Sequence, residues 1–266
     1  VKPPEPVKPP EPVKPPEPVK PPEPVKEEQG IIGSLLTGYF IAARINKTLG
    51  SKGGDDWAVN ILNEMSIVSL IFEKHDPLLD GFRIYYHSIP EVTSKVKYTD
   101  ESAKLSLNQW LAGYSLGVSS PVPKLFHSIT IVPKLGSYTV NSKLPRSIDK
   151  ENVTWNEFKT SGALGLGAEI NMEREIFLHM VLRLFIGIET SSGLSDTNVT
   201  TSHMGGSLKV GGNQVNLFGV KANLIYYLNA NSESILLENP PIDDSTDTES
   251  FNLEYSSAGF GLGVDW

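Results

Sequence analysis

The last sixteen residues, Phe251 to Trp266, limit the fold more than any other stretch. Even positions from 258 read Ala258, Phe260, Leu262, Val264 and Trp266. The odd positions beside them read Ser257, Gly259, Gly261, Gly263 and Asp265. A period of two with one apolar and one small or polar face is the mark of a β-strand. Residues with this pattern must either bury the apolar face or lay it against lipid.

The same pattern recurs upstream. Trp110, Ala112, Tyr114, Leu116 and Val118 share one face. Phe158, Gly162, Leu164, Leu166, Ala168 and Ile170 share another, opposite Glu157, Lys159 and Glu169. Ile176 to Ile188 alternates against His179, Arg183 and Glu189, and Phe218 to Leu228 against Lys221 and Asn223. Weaker runs cover 31–45, 65–74, 82–92, 127–140 and 202–210, with Pro133 marking a bulge or a position outside the regular ladder. The expected fold class is therefore all-β: an antiparallel barrel of about ten strands, or eight if the two weakest runs are loops. Short connectors at 76–81, 119–125, 171–175 and 211–214 alternate with long polar ones at 46–64, 93–103, 141–154, 190–201 and 229–250. An even strand count with one short-turn side and one long-loop side is the layout of a membrane barrel.

Residues 1–24 are four copies of Val-Lys-Pro-Pro-Glu-Pro and hold twelve of the chain's 20 prolines. Proline fixes φ and removes the amide donor, so neither helix nor sheet forms. The expected state is a polyproline II spacer, with residues 1–26 spanning roughly 80 Å. Two units follow: a proline-rich arm over 1–29 and a barrel over 30–266. The chain opens inside a repeat, so its start is expected to be processed or truncated.

Alternation does not say which face meets which medium. A soluble barrel turns its apolar face inward, and a membrane barrel turns it outward. The polar faces are rich in glycine and carry charges of both signs, which suits a crowded lumen. Glu157, Lys159, Glu169, His179, Arg183, Lys221 and Asp265 are the expected lumen network. A net charge of −8 argues against a nucleic-acid partner. There are no cysteines, which removes disulfides and thiolate metal sites.

No H-E-x-x-H or phosphate-loop motif occurs, and Gly113-Tyr114-Ser115-Leu116-Gly117 has G-x-S-x-G spacing only within an alternating strand run, not at a strand-to-helix turn. The adjacent carboxylates Asp55-Asp56 and Asp243-Asp244 lie in polar, loop-like surroundings. The expectation is a non-enzyme without metal or cofactor. Asn46, Asn152 and Asn198 each begin an Asn-x-Thr triplet in or beside an expected long loop.

Two resemblances extend this reading. The terminal strand, through Ala258, Phe260, Leu262, Val264 and Trp266, resembles the assembly signal of bacterial outer-membrane β-barrel proteins, which more commonly end in Phe. That resemblance implies insertion by the barrel-assembly machinery into outer-membrane lipid, with long loops outside the cell. The arm resembles the proline-rich linkers of envelope-spanning proteins such as TonB. It implies a periplasmic arm with a periplasmic or peptidoglycan-associated partner at residues 1–26. The leading functional expectation is a structural anchor that tethers the arm. A narrow solute pore and a soluble ligand-binding barrel are the alternatives.

Overall fold

The structure, a computed structural model, describes residues 39–50, 56–74, 81–150, 152–177, 179–191, 197–217 and 219–266 except 240–248. The proline-rich arm lies outside the described residues. Ten antiparallel strands close into a barrel: β1 (Tyr39–Gly50), β2 (Ser66–Lys74), β3 (Phe82–Lys95), β4 (Ser102–Tyr114), β6 (Ser128–Ile148), β7 (Val153–Phe177), β8 (Met180–Ser191), β9 (Asn198–Leu217), β10 (Val220–Asn239) and β11 (Glu249–Asp265). Each pairs with its chain neighbours, β1 pairs with β11, and β4 pairs with β6. The three residues of β5 (Leu116–Val118) lie outside the ring and extend the ladder of β6 past the end of β4. A helix, α1 (Asp56–Glu64), follows β1.

The ten expected runs are ten strands, but several expected long loops are strand. β3 continues to Lys95, β6 to Ile148, β7 begins at Val153, and β10 runs to Asn239. Strands of up to 25 residues far exceed the nine to eleven that a tilted strand needs to cross a bilayer. Asn46 is correspondingly a buried strand residue, not a loop residue.

The polarity of the wall reverses along these strands. In the lower part the exposed face is apolar, and the ladders join its residues into a belt. Phe260 pairs with Ile45 and Leu228. Leu70 pairs with Ala43 and Tyr86, and Tyr86 pairs with Trp110. Leu166 pairs with Leu135, and Ile170 with Ile131 and Ile186. Ile186 pairs with Met204, and Leu208 pairs with Leu228, which completes the ring. Leu166 is 66% exposed, Phe260 63% and Leu228 60%, so these side chains have no protein against them. The alternate residues on the same stretches, Glu169, Glu189 and Ser207, are buried.

In the upper part the order is inverted. Leu105, Leu107, Val140, Leu144, Phe158, Ile235, Leu237, Leu253 and Tyr255 are buried and form one cluster. Their neighbours Lys104, Asn141, Glu157, Lys159, Asn252 and Glu254 are exposed.

α1 belongs to this upper core. Trp57, Ile61 and Leu62 are buried at helical spacing, with Met65 just beyond. Trp57 packs against Phe251, with ring centroids 5.9 Å apart. A nine-residue helix is marginal alone, so this burial holds it. Asp56 in its first turn suits the positive end of the helix dipole. The barrel is thus filled with hydrocarbon side chains at one end and with charged ones at the other.

Candidate functional site

The lower interior holds a lattice of paired charges. Lys134 on β6 lies with its Nζ 2.6 Å from Glu169 on β7 and 2.8 Å from Glu189 on β8. His203 on β9 places Nε2 3.0 Å from Glu169 and Nδ1 3.3 Å from Glu189. Both ring nitrogens face carboxylate oxygens, which only accept, so the ring fits as a double donor. Asn171 donates to Glu169 at 2.7 Å and Thr201 to Glu189 at 3.1 Å. Two cations and two anions from four adjacent strands therefore balance, with further donors on the remaining lone pairs. That satisfaction is what a buried charge requires.

Glycine makes room for this packing. A Cβ at Gly187 would lie 2.6 Å from the His203 ring, and one at Gly167 2.4 Å from Cγ of Glu189. A Cβ at Gly165 would lie 2.2 Å from the Tyr138 ring.

A second balanced group lies beside the first. Arg183 Nε is 2.5 Å from Glu173 and its Nη1 is 4.0 Å from Glu73, while Arg83 Nε is 3.4 Å from Glu73. Arg44 lies over the Tyr227 ring at 4.8 Å. Higher up, Glu233 accepts from Tyr255 at 2.6 Å and from Asn231 at 3.2 Å. Between the lattice and the apolar core is a cavity of about 130 Å³ bordered by His87, Gln109, Lys134, Glu169, His203 and Glu233.

Ser69 Oγ lies 3.4 Å from His87 Nδ1, and His87 Nε2 lies 3.9 Å from Glu233. The order serine, histidine, carboxylate is that of a nucleophilic relay, but Ser69 and His87 meet because they are directly opposite in the β2–β3 register. The second distance is also too long for a hydrogen bond. Among the described residues, Glu169, Glu189 and His203 form a group of metal-ligand type, with donor atoms within 4.8 Å of one another. The Lys134 ammonium occupies the place between the two carboxylates that a cation would take.

Of the seven residues expected in the lumen, Glu169 is in this lattice and Arg183 is in the adjoining group. Asp265 lies on the glycine-bearing inner face of β11, half-buried near its end. The other four lie elsewhere. Glu157 and Lys159 are on the exposed outer wall. Gly162, at φ 72°, is an extra residue in β7: Tyr138 pairs with Ala163 and Thr139 with Ser161. This bulge switches which parity faces inward, so Phe158 is buried although Leu164 and Leu166 are exposed.

His179 is exposed in the turn between β7 and β8, with φ 64°, and its carbonyl accepts from Gly211 at 2.7 Å. The turn is at His179 because β7 runs through the expected connector at 171–175. Lys221 is exposed at the start of β10. Ala258, Phe260, Leu262 and Val264 all lie on the outer face of β11, and Trp266 follows the strand.

The residues that sequence reasoning missed share one signal. Arg44, Glu73, Arg83, Lys134 and Glu189 are each a charged residue on the polar face of an otherwise apolar alternating run. Such a residue stands where a lipid-facing strand turns its back to the lumen.

No family model and no curated protein matches the chain. Among solved structures it is similar to the β domain of the Bordetella autotransporter BrkA, with a TM-score of 0.39 and 10% identity over 85% of this chain and 97% of that one. The architecture of this chain, a closed antiparallel barrel with an exposed apolar belt, is that of a transmembrane β-barrel.

Proposed function

We propose that this chain is an outer-membrane β-barrel acting as a static anchor for the segment that precedes β1. The observation that carries the reading is the polarity reversal. One end of the wall is apolar outside and charged within, and the other is polar outside and apolar within. A barrel in water throughout has no reason to change sense partway up. A barrel whose lower part sits in hydrocarbon and whose upper part stands in water must do so.

Anchoring follows from the filled interior and the exit point of the chain. The paired charges and the α1 core occupy the lumen, which supports a plug over a pore. Phe40 pairs with Asp265, so the start of β1 and the end of β11 share the short-turn rim. A segment leaving there, with the proline repeat at 1–26, enters the periplasm, where a peptidoglycan-associated or other envelope partner would hold it. The outer face of β11, carrying Ala258, Phe260, Leu262 and Val264, is the surface offered to the assembly machinery.

Two measurements test this. The protein should appear in the outer-membrane fraction and migrate faster unheated than boiled. Protease added to intact cells should cut near 192–196 or 240–248 and spare 1–26. Cutting of 1–26 with sparing of those segments would reverse the topology. Steady single-channel conductance in a planar bilayer would favour the pore instead.

A further inference from the structure

The lower lumen holds a guanidinium that the chain leaves unmatched. Arg44 on β1 faces inward opposite Gly261 on β11. A Cβ at Gly261 would lie 2.7 Å from Cγ of Arg44, so the glycine lets the stem cross β11. The head then rests over the Tyr227 ring of β10, at 4.8 Å. Its buried Nε has no hydrogen-bond partner, and among the described residues no carboxylate stands at ion-pair distance from it. Glu73, the acid facing this group, is shared by Arg83 and Arg183, and Glu173 is taken by Arg183. Three arginines thus face two glutamates. Lys209 near Glu173 and Asp265 near Tyr227 add one charge of each sign. The lower group is left one negative charge short.

Arg44 and Arg183 both border the cavity described above, where their like charges repel. An apolar row borders the same space. Ile71 pairs with Tyr85, and Tyr85 with Leu111, so the three face inward side by side on β2, β3 and β4. Phe185, two residues above Arg183 on β8, also borders it. Water alone would satisfy the guanidinium but leave these side chains wetted. The volume of about 130 Å³ is close to the roughly 150 Å³ of an apolar cavity that takes one benzene, so it suits a molecule of about six heavy atoms.

We infer that this cavity binds a short-chain monocarboxylate, such as butyrate, with its carboxylate on Arg44 and its hydrocarbon against Ile71, Tyr85 and Leu111. The guanidinium fork matches a carboxylate edge through two parallel hydrogen bonds. One negative charge completes the balance of the lower group, and the tail covers the apolar row. Inorganic phosphate meets the first demand and not the second. The inference rests on the closed barrel alone, whichever medium surrounds it.

The test uses the full chain folded in neutral detergent, titrated with butyrate, its uncharged isostere butyramide, and inorganic phosphate, with binding read by calorimetry. Wild type should bind butyrate saturably, and butyramide and phosphate roughly tenfold or more weaker. Arg44→Met keeps the stem and should weaken butyrate by roughly tenfold or more, with the heat-dependent migration retained. Arg146→Gln, exposed on the outer wall, should bind as wild type does. A second readout needs no variant: the butyrate methyl protons should show nuclear Overhauser contacts to the Tyr85 ring. Lack of saturable binding by wild type, butyramide or phosphate bound as tightly as butyrate, or undiminished affinity in a folded Arg44→Met would overturn the inference. Should that variant lose its migration shift, the contacts to Tyr85 decide, and their absence overturns it as well. The anchor reading stands or falls separately, on fractionation and protease access.

Discussion

Replacing Lys134 with methionine tests whether the buried lattice holds the barrel together. Methionine keeps most of the lysine stem and removes only the charge. The ammonium makes two contacts, at 2.6 and 2.8 Å. At an effective dielectric near 20 each is worth about 6 kcal/mol before desolvation, and desolvation returns most of that. The larger effect is what remains afterwards: Glu169 and Glu189, both buried, with His203 as their one shared cation. Removing one partner of a buried ionic group costs roughly 3–5 kcal/mol. Urea unfolding in lipid vesicles, followed by tryptophan fluorescence, should show a loss of that size. Adding Glu189→Gln to Lys134→Met restores neutrality and should recover part of it, giving a coupling energy of at least about 1 kcal/mol. A loss under 1 kcal/mol with additive effects would mean that the lattice is hydrated and contributes packing alone.

Four further outcomes are expected. Gly187→Ala should destabilise the barrel by roughly 1–3 kcal/mol, because the added methyl meets the His203 ring at 2.6 Å; Gly117→Ala, with open space around it, should not. Leu166→Arg should cost roughly 2–4 kcal/mol in vesicles if that position lies near the bilayer midplane, whereas Glu157→Arg on the same strand should cost little. Ile61→Ala should lose roughly 2–5 kcal/mol as a cavity opens under α1. The Asp56 carboxyl, bonded to Lys97, is held below its ordinary value. Its contribution is therefore present above about pH 4 and fades as pH falls through the lowered midpoint; carboxyl NMR should show that midpoint rise in Lys97→Ala.

Much of the fold is legible in residue order because a strand exposes its period directly. β11 is the clearest case: Phe260, Leu262 and Val264 are outside and Gly259, Gly261 and Asp265 inside, as alternation indicates. β7 shows where that reasoning fails. Phe158 and Leu164 share even parity, yet one is buried and the other faces outward, because Gly162 adds a residue that hydropathy does not register. α1 is hard to read from the sequence for a different reason. Its Trp57, Ile61, Leu62 and Met65 follow a helical spacing, but they sit in a polar stretch that the barrel layout assigns to a loop. The lattice was half legible. Glu169, and Arg183 in the adjoining group, stand out on strong runs, while Lys134 and His203 lie on runs that look weak alone and gain meaning only from their cross-strand partners.

The reversal of polarity also explains why the strands are so long. A barrel that ended at the belt would expose Lys134, Glu169, Glu189 and His203 to water at its mouth, and their pairing would weaken as solvent screened it. The extended strands carry a second core upward, and α1 closes it with Trp57, Ile61 and Leu62. In several strands the switch of sense occurs over a few residues: in β10, Leu228 faces out and Ile235 in; in β4, Trp110 faces out and Leu107 in. These switches need no bulge, since the apolar residues simply move from even to odd positions. A run of even apolar residues that becomes a run of odd ones within a single strand is therefore a sequence-level sign of a wall crossing from lipid into water.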